Sequence, residues 1–240
     1  QAHGGPIVLV TFVVPTRDCQ TWLPHAVQSV LDQTHGELEL VIVNDGSKDR
    51  TDQYLDWLSD KKDPRIVIFN TMGIGRSAAR NLGNSAATGE LILVLDADDI
   101  ATPNRAALTV RKHKETGADF IHGGATMIDG LGNNLGTMRT DVVNKDSALT
   151  SMLNGIVHST VAYTRAFYSK YPYADGDISR LGIDDWHQQI RAILDGAKME
   201  YIPTPICAYR NLQSGISKTR DEDAVMAAKR TILESLLVAA

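Results

Sequence analysis

The feature that most constrains this chain is the stretch Leu91 to Pro103, LILVLDADDIATP. Five consecutive apolar residues, Leu91 to Leu95, lie between Glu90 and Asp96. The run is too short for a buried helix and predicts a strand covered on both faces. Three carboxylates, Asp96, Asp98 and Asp99, stand at its C-terminal end. Ligands of open α/β sheets bind outside the carboxyl ends of the strands, so a charged ligand is expected here. Three crowded anions call for a cation. Mg²⁺ or Mn²⁺ suits them, because these ions take carboxylate oxygens together with substrate phosphates. Capping of the next helix is the plainer explanation, but Thr102 and Pro103 already supply an N-cap and a first-turn proline.

The rest of the first half alternates strand and helix. Ile7 to Val14 predicts a buried strand stopped by Pro15, and Trp22 to Leu31 carries an apolar stripe at helical spacing. Leu38 to Val43 predicts the second strand, with Asn44 to Ser47 as a polar turn. A helix near Thr51 to Leu58 and a strand over Arg65 to Phe69 follow. Two glycines then precede a helix over Arg76 to Ala87, whose small residues permit close approach of a neighbour. A helix over Pro103 to Glu115 and a strand over Ala118 to Ile128, bent at Gly123 and Gly124, complete the pattern. Such alternation predicts an α/β fold with a mostly parallel central sheet flanked by helices, Rossmann-like in its N-terminal half.

The second half is less regular. Gly130 to Gly136 reads as a turn, Ser147 to Leu153 as a short helix, Val157 to Thr164 as a strand and Tyr171 to Gly182 as a loop. A helix begins at Asp184, a strand over Lys198 to Ile202 ends before Pro203 and Pro205, and a last helix covers about Glu222 to Leu237.

At 240 residues the chain fits one domain, read here as 1–240. A net charge of -5 without a basic, aromatic stripe argues against nucleic acid as a partner. Two distant cysteines, Cys19 and Cys207, exclude a disulfide framework and a zinc site, and favour a reducing, cytoplasmic setting. The opening QAHGGP lacks the features of a signal peptide and reads as a cloning remnant or a trimmed leader. No run is long and apolar enough for a membrane span, though a lipid-linked acceptor would still bring the protein to the inner membrane face.

Four separated motifs stand in an order that resembles the family 2 glycosyltransferases of the GT-A fold. They are VVPTR (13–17), LELVIVNDGSKDRT (38–51), GIGRSAARNLGNSAATGELILVLDADD (73–99) and GIDDW (182–186). The resemblance is dense over 7–105, the expected nucleotide-sugar half, and thinner over 106–220, the expected acceptor half, with a C-terminal helix over 221–240. It implies that Pro15, Thr16, Arg17 and Asp45 hold the nucleoside of the donor, and that Arg80, with Arg76 as second candidate, reaches the nucleotide. Asp96 and Asp98 form the D-x-D pair, with Asp98 on a Mn²⁺ or Mg²⁺ ion that bridges the donor diphosphate and Asp96 on ribose or metal. Where the family often has Glu-Asp-Trp, this chain has Asp184, Asp185 and Trp186. Asp185 is then the catalytic base, and Asp184 and Trp186 shape acceptor binding. In CAYRNLQSGIS (207–217), Arg210 is expected at the diphosphate, with Tyr209, Ser214 and Ser217 as weaker assignments.

The implied activity is inverting, metal-dependent transfer of a sugar from a nucleoside diphosphate, UDP first, to a glycan, lipid-linked or other hydroxyl acceptor in cell-surface polysaccharide or glycoconjugate synthesis. Homodimer formation stays open. The helix dipole gives Asp184 and Asp185 a competing capping role, and His122, His158 and His187 read as structural or acceptor-side residues. Two rivals are a sugar-nucleotide nucleotidyltransferase, which needs a glycine-rich loop that VVPTRDCQTW lacks, and a glycosyltransferase-like binding domain without turnover.

Overall fold

The computed structural model describes residues 8–138, 155–213 and 216–239. Strands β1 (Val10–Thr16), β2 (Leu38–Asp45), β3 (Ile66–Thr71) and β4 (Leu91–Val94) are joined by helices α1 (Leu23–Leu31), α2 (Thr51–Asp60) and α3 (Arg76–Ala86). These four strands are parallel in the order β3-β2-β1-β4. Beyond β4 the sheet continues through β8 (Ala162–Thr164), β6 (Phe120–Ile128), β9 (Met199–Arg210) and β5 (Ile100–Ala101). Antiparallel β8 breaks the pattern, β6 and β9 run parallel, and β7 (Asn134–Met138) forms a hairpin with β6. The remaining helices are α4 (Arg105–Thr116), α5 (Arg165–Lys170), α6 (Asp177–Arg180), α7 (Asp184–Leu194), α8 (Ile216–Thr219) and α9 (Glu222–Ala239).

The continuous apolar runs have the reason inferred from the sequence, since both faces of the sheet are covered. Val10, Phe12 and Val14 pack on one face with Leu23, Ala26, Val27 and Val30 of α1. Val13, Val41, Val43, Ile92 and Val94 pack on the other with Ala79 of α3. Helix α3 lies so close that a Cβ on Gly83 would come within 2.5 Å of Val13 Cγ1 and 3.2 Å of Val43 Cγ2. The small residues of this helix therefore set how deeply its arginines sit.

Several boundaries differ from those expected. Strand β1 does not stop at Pro15 but runs to Thr16. Val13 is the last β1 residue paired with β4, so the missing N–H of Pro15 falls beyond the neighbouring strand. Asn44 and Asp45 end β2 instead of forming a turn. Helix α4 starts at Arg105 with Asn104 as N-cap, so Thr102 is not the cap, and Ile100–Ala101 pairs with β9. Strand β9 passes through Pro203 and Pro205, because it advances from Ile202 to Cys207 while β6 moves only from Gly123 to Ala125. That bulge absorbs the prolines and is the bend expected at Gly123 and Gly124. A short helix, α6, interrupts the expected loop, and the segment expected as strand 157–164 opens with a 3₁₀ turn, His158–Thr160. The helix expected over Ser147 to Leu153 and the residue Ser214 lie outside the described residues. No helix among the described residues is long and apolar enough to cross a membrane.

Candidate active site

Parallel pairing brings the carboxyl ends of β1, β2 and β4 to one edge, and with them Pro15, Thr16, Arg17, Asp45, Asp96 and Asp98. The loops after β1 and β2 are hydrogen-bonded to each other. Asp18, at φ 51°, accepts from Lys48 N–H at 2.6 Å, and Ser47 Oγ accepts from Asp18 N–H at 3.0 Å. Asp45 is buried. Its Oδ1 accepts from Thr71 Oγ1 at 2.7 Å and Ile74 N–H at 2.6 Å, and its Oδ2 from Gly75 N–H at 3.0 Å. Asp45 thus ties the glycine turn before α3 to the end of β2. Half-exposed Arg17 stands 4.0 Å from it.

The three acids after β4 have three different fates. Burial would raise Asp96, but Arg80 at 2.8 Å, with His158 and Arg76 beyond it, holds the carboxyl down at about 2. Asp99 is 1% exposed. Burial, then Asp98 and Asp96, push it well above the usual carboxylate range and favour its neutral form, while its Oδ1 accepts from Arg210 N–H at 2.7 Å. Asp98 forms no ion pair among the described residues, and burial and the charge of Asp96 push it up to about 6. The crowding read from the sequence is therefore relieved by an arginine on one side and by burial on the other. Asp98 alone keeps a charge looking for a cation.

No cluster of three or more His, Cys, Asp or Glu side chains among the described residues could hold a metal. An all-protein metal cage is thus absent from them. A single under-neutralised carboxylate still fits Mg²⁺ or Mn²⁺, which keep waters and take one or two protein carboxylates when substrate phosphates supply the rest.

Arg76 and Arg80, one turn apart on α3, converge on Asp184 at the start of α7. Arg76 Nη2 donates to Asp184 Oδ1 at 2.6 Å and to Ser179 O at 3.1 Å. Arg80 Nη1 donates to Asp184 Oδ2 at 2.7 Å, while its Nη2 holds Asp96. Burial opposes the charge on Asp184, but Arg80 and Arg76 lower its pKa. Both arginines are engaged by acids of this chain, and the pair locks α3, β4 and α7 together. Asp184 is 1% and Trp186 4% exposed. Trp186 packs with Ile183, Ile190 and Val225, beneath Lys229 Nζ at 5.1 Å from its ring centroid. The Asp184 and Trp186 side chains are both packed inside the fold next to Asp185. Asp185 is half-buried, and its Oδ1 accepts from the N–H of its neighbour Trp186 at 2.7 Å; Ile183 is the N-cap, and no side chain caps the helix.

Arg210 is enclosed by backbone carbonyls. Its Nε donates to Asp98 O at 2.8 Å and its Nη1 to Asp129 O at 2.8 Å and Gly130 O at 3.2 Å. Only 4% exposed and lying 5.9 Å over the Trp22 ring, it is a strut between the acidic turn and the β6–β7 hairpin. Sequence reasoning also missed Ser159, whose Oγ accepts from Asp96 N–H at 3.0 Å, and buried Tyr173. Nothing local distinguishes either residue.

A Rossmann-like parallel half with acids along its carboxyl edge, continued by a mixed second half, is the architecture of the GT-A fold. The family model for Glycosyl transferase family 2 matches residues 11–175, and the chain belongs to that family. An uncharacterized glycosyltransferase of Rickettsia bellii is 32% identical over 126 residues, 52% of this chain and 18% of that protein. Glycosyltransferase GlyG of Streptococcus pneumoniae is 32% identical over 116 residues, 48% of this chain and 38% of GlyG. The chain therefore spans well under half of these relatives. Among solved structures, TarS 1-349 of S. aureus in complex with UDP-GlcNAc superposes with TM-score 0.69 at 17% identity, covering 93% of this chain and 66% of that one. Mannosyltransferase PcManGT of Pyrobaculum calidifontis, in complex with GDP-Man and Mn²⁺, gives TM-score 0.65 at 17% identity, covering 87% and 59%. Both share the fold.

Proposed function

We propose that this domain is an inverting, metal-dependent glycosyltransferase that moves a sugar from a nucleoside diphosphate donor, UDP first, to a hydroxyl of a glycan or lipid-linked acceptor. The observation that carries the reading is the unequal treatment of the acids. Asp96 and Asp184 are paired with Arg80, whereas Asp98 forms no ion pair among the described residues and Asp185 stands half-buried beside them. Asp98 is the carboxylate to hold Mn²⁺ or Mg²⁺. Bound there, the ion supplies Lewis-acid stabilisation of charge on the departing diphosphate. The loops carrying Pro15, Thr16, Arg17 and Asp45 border the nucleoside, with Arg17 the exposed cation among them. Of the two acids opening α7, Asp184 is occupied by two arginines, which leaves Asp185 to take the acceptor proton as the new bond forms. Attack opposite the leaving group then inverts the anomeric centre. The UDP-GlcNAc and GDP-Man complexes of TarS and PcManGT support a nucleotide-sugar donor, and Mn²⁺ in the latter supports the metal.

Asp185→Asn tests the base. The variant should lose about 10²-fold or more in transfer while keeping Mn²⁺-dependent nucleotide binding. Full activity would end the assignment. A thermal-shift screen of UDP, GDP, dTDP and CDP with and without Mn²⁺ identifies the base of the donor, since a ligand of the native state raises apparent stability.

A further inference from the structure

Strand β3 is outermost in the sheet and pairs with β2 alone among the described residues. A parallel pair bonds through alternate residues of a strand. Leu40 N–H donates to Arg65 O at 2.8 Å, so Arg65, Val67, Phe69 and Thr71 turn their peptide groups toward β2. Ile66, Ile68 and Asn70 turn theirs outward. Ile66 N–H is taken by Asp63 O at 3.1 Å. Ile66 O, Ile68 N–H and O, and Asn70 N–H and O have no backbone partner among the described residues. Proteins blunt such edges with lysine, proline or a bulge. Residues 66–71, IVIFNT, contain none of these and follow β2 without a register shift. Three of the eight large apolar side chains exposed among the described residues lie on this strand or just past it: Val67 at 37%, Met72 at 98% and Ile74 at 45%.

We propose that this edge is an interface with a second copy of the chain, the two β3 strands pairing antiparallel about a two-fold axis at Ile68. Ile68 then exchanges two hydrogen bonds with the partner's Ile68, and each Asn70 N–H donates to the partner's Ile66 O. Every outward group except Asn70 O is satisfied. On the face toward α3, where Phe69 packs, Val67 stands opposite the partner's Phe69, and the symmetry repeats the pair. On the face toward α2, where Ile66 and Ile68 pack, the two Ile68 side chains meet. Exposed Met72 comes opposite the partner's Pro64. The one charged residue in register, Arg65, is already paired with Asp63 at 2.7 Å and faces the partner's Thr71.

Charge matches as well. Helix α2 joins two parallel strands and so runs against them. The two-fold is normal to the sheet and sets the two α2 helices on one face, side by side and opposed. Exposed Asp52 and Asp56, which line a cleft with Asn70 and Met72 at one end of α2, then lie toward the end of the partner helix that leads to exposed Lys61 and Lys62. Acid meets base and apolar meets apolar in one register, which selects the chain's own edge over an unrelated strand. One strand flanked by one helix is a small interface, so the association belongs to the micromolar range.

Sedimentation velocity from about 1 to about 200 µM is the test, and over this range the wild type should pass from one chain to two. Val67→Lys keeps every bond to β2 and sets an ammonium against the partner's Phe69. It should weaken association about tenfold or more, with the melting temperature of the dilute protein unchanged. Cysteines check the register, since Cys19 and Cys207 are buried. Under mild oxidation Ile68→Cys should link to its own copy, because the Cα atoms of such a pair lie about 5.5 Å apart. Asn70→Cys, displaced from itself along the paired strands, should not. A Val67→Lys protein that associates as well as the wild type, or equal linkage at 68 and 70, overturns the proposal. A wild type that stays monomeric throughout also overturns it and leaves the edge to a strand of another protein.

Discussion

Replacing Asp98 by asparagine removes a charge that the fold itself opposes. Burial and the neighbouring Asp96 lift the Asp98 carboxyl from 3.8 to about 6, which corresponds to about 3 kcal/mol. The raised folded value means that the native state holds the proton more tightly than the unfolded chain. Ionised Asp98 therefore costs stability, a cost absent below about pH 4, growing between about pH 4 and 6, and constant above. Part of the penalty is shared with Asp99 next door, so Asp98→Asn should stabilise the metal-free protein by about 1–3 kcal/mol at pH 7.5. For a domain of this size that is a rise of roughly 2–12 °C in melting temperature. Thermal unfolding in EDTA at pH 7.5 and pH 4 measures it, and the gain should vanish at the lower pH. Mn²⁺ with nucleotide should raise the melting temperature of the wild type and leave the variant unmoved. An Asp98→Asn protein that is less stable than wild type at pH 7.5, or that still responds to Mn²⁺, would refute the picture of Asp98 as a strained metal ligand.

Asp184→Ala should cost about 3–5 kcal/mol by stripping Arg80 and Arg76 of a buried partner. Its lowered folded pKa means that this contribution is present above the usual carboxylate range and fades as pH falls below about 4, so chemical denaturation at pH 7 and pH 3.5 should show the gap between variant and wild type closing. Gly83→Ala forces a methyl against Val13 and Val43 and should destabilise by about 1–3 kcal/mol; a neutral denaturation curve would show that α3 can move away freely. Arg210→Met should also destabilise, by about 1–3 kcal/mol, through the carbonyls of Asp98, Asp129 and Gly130 left without a charged donor, with nucleotide affinity measured at saturating Mn²⁺ falling only as far as folding does.

The order of elements, the two-faced sheet and the acidic end of β4 were legible from the sequence because each is local. Runs such as Leu91 to Leu95 need no partner to declare a buried strand, and a strand-to-turn junction announces where ligands meet the sheet. The roles of individual charges were not legible, because each is set by a partner far along the chain. Arg80 reads from the sequence as a nucleotide contact, and the structure sets Asp184, more than a hundred residues on, against it. Arg210 reads from the sequence as a diphosphate contact, and the structure places three carbonyls from two separate turns around it. Asp96, Asp98 and Asp99 are alike as letters, and only the tertiary structure makes one paired, one charged and strained, and one buried. Local sequence dictates backbone conformation through sterics and periodicity, whereas ionisation depends on desolvation and on distances that exist only once the chain has closed on itself.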